Sequence, residues 1–214
     1  MTTTTTTESW VAWLREREAC IEAIRWVSGQ TTPERAWASC ARGDWMLWAL
    51  GHIHHATDAR RSLVLAACEC ARLALPHVLP GEDRPRLAIE TAERWARGED
   101  VTLKGVRAAS RDVFRAAHDA ATAENAIAHA AAGTAWAASA TAWAAATAAG
   151  TAWAATAYAT ASAASAAASH VAAATAWAAT ATAAHCSSAA AGEKVLRECA
   201  DIVRRYFSDV PLSI

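Results

Sequence analysis

The chain has 214 residues, enough for one ordinary domain or two small ones around a real core. Lys and Arg number 20 and Asp and Glu 21, a net charge of −1 that argues against nucleic acid or an acidic lipid surface as partner. Every one of these charges falls within residues 8–124 or 193–209; the stretch from Asn125 to Gly192 has none and is more than half alanine.

In chain order, Thr2–Thr7 is low in complexity, and residues 1–8 are expected to form a disordered arm ahead of one all-helical domain over 9–214. Trp10, Trp13, Leu14, Cys20, Ile21, Ile24 and Val27 recur at mostly three- and four-residue spacing, which predicts one amphipathic helix closed by Gly29. Thr32-Pro33-Glu34 reads as N-cap, first-turn proline and first-turn acid of a short helix carrying Trp37 and Cys40.

Gly43-Asp44 restarts the chain, with Asp44 as the expected N-cap of a strongly apolar helix through Trp45, Met46, Leu47, Trp48 and Leu50. Between Arg60 and Leu75, one face collects Leu63, Ala66, Ala67, Cys70, Leu73 and Ala74 before Pro76 and Pro80. The next helix starts near Pro85 and ends at Gly98, and Thr102 caps the one that follows it toward His118.

From Asn125 on, alanine's helix propensity predicts two or three antiparallel helices, broken near Gly133, Gly150 and Ser169-His170. Thr-Ala-Trp recurs at 134–136, 141–143, 151–153 and 175–177. A charge-free stretch of small side chains must cover its surface against itself, the rest of the chain or another copy, so self-association into a homo-oligomer is expected. Thr and Ser recur too often, and the tryptophans sit too centrally, for a membrane span. The alternative is β: Ala155 to Ala163 alternate strictly with Thr, Tyr, Thr and Ser. A pentapeptide solenoid fails, because positions 136, 141, 146, 151 and 156 read Trp, Thr, Ala, Thr, Thr. A closing helix over 193–207 turns Val195, Leu196, Cys199, Ile202, Val203 and Phe207 inward, with Lys194, Arg197, Arg204 and Arg205 outward.

Candidate chemistry is sparse. His52 and His55 share a helical face, as zinc ligands would, but a solvated helix end accounts for them and no metal is expected. Cys68 and Cys70, at i and i+2, point apart and form no redox pair; one is expected buried and one peripheral. The six cysteines follow no signal-peptide pattern, so free thiols in a cytoplasmic protein are expected. Glu82, Asp83 and Arg84 form the most polar turn, read as helix capping ahead of catalysis. Phosphate-loop, Gly-x-Ser-x-Gly and His-Glu-x-x-His motifs are missing, and the threonines keep no single period for an ice-binding array.

Two blocks carry a resemblance: Leu65-Ala-Ala-Cys-Glu-Cys-Ala-Arg-Leu-Ala-Leu-Pro-His-Val, and Gly81-Glu-Asp-Arg-Pro-Arg-Leu-Ala-Ile-Glu-Thr-Ala-Glu-Arg-Trp-Ala-Arg-Gly. With Leu196-Arg-Glu-Cys-Ala-Asp-Ile-Val-Arg-Arg-Tyr, the chain over about residues 62–207 resembles the immunity protein family of bacterial polymorphic toxin systems. The resemblance implies an all-helical, non-enzymatic protein that binds and neutralises a toxin or similar effector, and it brings no catalytic residues or cofactor.

The expected fold is therefore all-α, about eight to ten helices with an alanine-rich, tightly packed C-terminal half. Trp136, Trp143, Trp153 and Tyr158 are candidate anchors for a protein partner, with Glu82, Asp83 and Arg84 as a polar rim; the same aromatics serve equally as core. Two other functions remain open: sequestering a small molecule or nucleotide by stacking on tryptophan faces, and structural self-assembly.

Overall fold

Helix ends in the computed structural model follow local capping chemistry. The structure describes residues 7–53, 57–73, 75–77, 81–102, 104–106, 108–109, 111–112, 115 and 189–209. Among them every regular element is helical: α1 (Thr7–Glu16), α2 (Ile21–Ser28), α3 (Pro33–Ser39), α4 (Gly43–Ile53), α5 (Thr57–Arg72), a 3₁₀ turn (Leu75–His77), α6 (Arg84–Ala96) and α7 (Ala189–Tyr206). Short helical stretches also follow Thr102. The all-α class is as expected from the sequence. The alanine-rich bundle, its self-association and the β alternative fall on residues outside those described, apart from 189–192, which open α7.

The cap at Thr32 forms as its sequence demands: the Arg35 N–H donates to Thr32 Oγ1 at 3.2 Å, with Pro33 opening α3. Thr102 does the same, accepting from the Gly105 N–H at 3.2 Å. Helix α6 closes in a Schellman turn at Gly98 (φ 76°), where Gly98 N–H donates to the Trp95 carbonyl and Glu99 N–H to that of Arg94, each at 3.0 Å.

The single helix expected from Trp10 to Val27 is two helices instead. Helix α1 begins at Thr7, inside the expected arm, and ends in the same turn type as α6. Ala19 N–H donates to the Leu14 carbonyl at 3.0 Å and Glu18 N–H to that of Arg15 at 3.1 Å, with Glu18 itself at φ 57°. A glutamate thus fills a left-handed position that normally takes glycine, so the apolar spacing ran straight through a break that no glycine marked. Cys20 is exposed and Ile21 is 58% exposed, because the new helix starts in a new direction. Asp44 is likewise no N-cap: α4 starts one residue earlier, at Gly43.

Helix α5 organises the core because it is buried on two flanks. Leu63, Ala66 and Cys70 join Met46, Leu47 and Leu50 of α4 and Cys199, Ile202 and Val203 of α7. On the other flank Val64, Cys68 and Ala71 meet Ile89, Ala92 and Ala96 of α6, together with Val106. The single apolar face read from sequence was only one of these. Both Cys68 and Cys70 are fully buried, correcting the expected peripheral thiol, and they sit in different clusters as their spacing requires. A third cluster joins Val11, Trp13 and Leu14 of α1 with Ile24 of α2 and Ala49 of α4.

Two close approaches fix the frame. At the start of α4, a Cβ on Gly43 would lie 2.6 Å from the Ala200 backbone nitrogen and would also overlap Cys199, so α4 and α7 touch backbone to backbone there. Between α5 and α6, Arg72 grips the buried Glu93 carboxylate with two bonds of 2.7 and 2.9 Å. Burial alone would raise the Glu93 carboxyl, but Arg72 and Arg97 outweigh it and hold the group below the usual carboxylate range.

Candidate functional site

Tryptophan is concentrated early in the chain, and six of the 11 lie between residues 10 and 48. The break at Glu18 folds α2 back beside α1, and α3 and α4 close the remaining sides. The result is a cavity of about 540 Å³ lined by Trp10, Trp26, Trp37, Trp45 and Trp48. Leu14, Ala23, Ala36 and Met46 add apolar surface to the lining. This volume lies inside the range of roughly 300–1,000 Å³ usual for small-molecule sites, whose walls are mostly aromatic and apolar.

The ring faces are arranged at angles. Trp26 and Trp45 are tilted at 55° with centroids 6.1 Å apart, while Trp10 meets Trp13 at 5.7 Å and 52°. Trp10 is buried, and its enclosed indole N–H has no acceptor among the described residues. Burying an unmet donor costs about 1–3 kcal/mol. Trp37 is also buried, but its N–H donates to the Phe207 carbonyl at 3.1 Å, so α7 holds that wall from behind.

Four charged groups line the cavity: Glu18, Glu22, Arg42 and Asp44. Asp44 is buried and accepts from Arg42 Nε at 2.9 Å and Nη2 at 2.6 Å. The Arg42 guanidinium lies over the Trp45 ring, 4.3 Å from its centroid. Hydrogen bonding to Asp44 raises the Arg42 pKa further. Glu18 and Glu22 are exposed at the rim and have no cationic partner among the described residues. Cys40, also in the lining, is pushed up to about 11 by burial and is a thiol at neutral pH.

The sequence-derived candidates fare differently. Trp136, Trp143, Trp153 and Tyr158 lie outside the described residues. Glu82 and Arg84 come together, though on each other: Arg84 donates its backbone N–H at 3.0 Å and its Nε at 2.8 Å to the Glu82 carboxylate. That bonding lowers the Glu82 pKa and makes Glu82 a cap for α6. Asp83 occupies the N-cap position without a capping bond and pairs instead with Arg86 at 3.0 Å. His52 packs against Trp48 at 4.4 Å with the rings tilted by 58° and meets Trp13 edge-on at 6.2 Å, while His54 and His55 fall outside the described residues. No group of three or more potential metal ligands occurs among the described residues.

A second recess, about 400 Å³ between α5 and α7, is charged but largely self-compensated, with Glu69 bound to Arg205 and Arg72 to Glu93. The tryptophan cavity was not read as a site from sequence, although the density of tryptophan before residue 50 was its visible trace. No protein-family model matches the chain, and neither curated proteins nor solved structures give a match. No helix among the described residues is long and apolar enough to cross a membrane.

Proposed function

We propose that this protein is a non-enzymatic binding protein that sequesters a small, largely apolar molecule in the tryptophan-lined cavity. One observation carries the reading: among the described residues, five tryptophans from four helices converge on a space of about 540 Å³. Filling that space with side chains would stabilise the core by restoring lost contacts, so an open cavity of this size favours a ligand. The charged lining suits retention more than proton transfer, since Arg42 and Asp44 satisfy each other.

The test is a titration with N-phenyl-1-naphthylamine, a neutral probe whose emission rises in apolar surroundings. Saturable enhancement at one probe per chain is expected, and Ala23→Leu, which fills the cavity from α2, should abolish it while leaving the far-ultraviolet dichroism unchanged. Binding that ignores Ala23→Leu, or no saturable binding to the parent protein, rejects the proposal.

Neutralisation of a toxin or effector is the competing proposal. It rests on the resemblance over residues 62–207, and the cavity, built from residues 10–49, lies outside that region. Rescue of cells from a toxin encoded beside this gene, by co-expression, is the experiment that would favour it.

A further inference from the structure

We infer that the cavity selects organic cations with aromatic bodies over anions and neutral molecules of the same shape. This rests on the receptor reading above and adds the charge of the ligand. Among the described residues, three carboxylates and one guanidinium line the space, and that guanidinium is bound to Asp44. Glu18 and Glu22 line the mouth and form no ion pair among the described residues. An anion would meet those charges and find Arg42 already occupied by two carboxylate oxygens.

The walls agree with the rim. Indole is the strongest of the aromatic rings for holding a cation over its face, and desolvation inside a cavity strengthens that attraction. The cavity lining already uses the mode, since Arg42 lies 4.3 Å from the Trp45 centroid with Asp44 as its counter-ion. A bound organic cation would repeat that arrangement, with tryptophan faces around its body and Glu18 and Glu22 in place of Asp44. Glu18 also occupies its rim position in the left-handed region at φ 57°, where glycine would be less strained.

Tetraphenylphosphonium and tetraphenylborate are matched probes, alike in shape and opposite in charge. Isothermal titration of the full chain should show the phosphonium binding at least tenfold more tightly than the borate. Glu18→Gln with Glu22→Gln, both exposed positions, should remove most of that preference while N-phenyl-1-naphthylamine still binds. Equal binding of the two ions, or tighter binding of the borate, overturns the inference and leaves the receptor reading intact. A preference that survives both Gln substitutions also overturns it, because the charge would then act elsewhere. If neither ion binds but the neutral probe does, cation selection is rejected; if nothing binds, the receptor reading falls with it.

Discussion

Trp37 and Arg204 fasten α3 to α7 in both directions. The Arg204 guanidinium donates to the Trp37 carbonyl at 3.2 Å and to the Cys40 carbonyl at 2.8 Å, while the Trp37 indole donates to Phe207 at 3.1 Å. Helix α3 ends at Cys40 with carbonyls that its own turn cannot satisfy, and a side chain 164 positions away satisfies them. Arg204 was expected to face solvent, and its neighbour Arg205 does remain exposed.

Arg204→Ala should therefore destabilise the protein by about 1–3 kcal/mol, the range for stranding partly buried polar groups. Denaturant unfolding followed by tryptophan emission measures it. Arg204→Lys should recover only part of the loss, since one ammonium cannot span both carbonyls and Asp201 as the guanidinium fork does. Full recovery by lysine would show that charge alone matters here.

Glu18→Gly should raise stability by about 0.5–1 kcal/mol, because glycine enters the left-handed region without the Cβ clash. The melting temperature would rise. The cation preference of the cavity would fall in the same variant, which separates a ligand role for Glu18 from a purely structural one.

Gly43→Ala should act in the opposite direction from a helix-propensity scale. Alanine normally stabilises a helix by about 1 kcal/mol relative to glycine. Here its methyl would overlap Cys199 and sit 2.6 Å from the Ala200 nitrogen, forcing α4 and α7 apart. A net loss of about 1–3 kcal/mol is expected on overpacking grounds, read from the denaturation midpoint. A stabilised Gly43→Ala protein would mean the two helices are not in backbone contact.

The Arg72–Glu93 clamp predicts an acid limb in the stability profile. The Glu93 carboxyl is depressed in the folded state, so the unfolded chain takes up its proton first as pH falls. The contribution is complete above roughly pH 4.3, the ordinary glutamate value, and is lost as pH falls through the lower folded value. Glu93→Gln should cost about 1–2 kcal/mol at pH 7, a discounted figure because Arg72 is 38% exposed, and should flatten that limb. Urea denaturation of both proteins between pH 3 and 7 makes the comparison.

The fold was legible where a local signal decides the outcome. Thr32-Pro33 and Thr102 cap because their hydroxyls need only reach three residues along the chain. Gly98 ends α6 for an equally local reason. The turn at Glu18 was hidden because a glutamate fills a glycine position and the apolar spacing on either side stays in phase. Arg204 and the second flank of α5 were hidden because both depend on partners in other helices, distant along the chain. The cavity needed all of these: the break at Glu18 to turn α2 back, and the anchoring of Trp37 from α7. Counting tryptophans could locate its material and could not show that the rings surround a space.

Because α5 carries fully hidden residues on opposite sides, Leu63, Ala66 and Cys70 on one and Val64 and Cys68 on the other, it acts as a party wall between two rooms. Neither room can be dismantled while the other keeps its plaster, so the layers lack a seam along which one could peel away. Evolutionary change along α5 is correspondingly hemmed in: a larger residue admitted from one side intrudes on tenants of both.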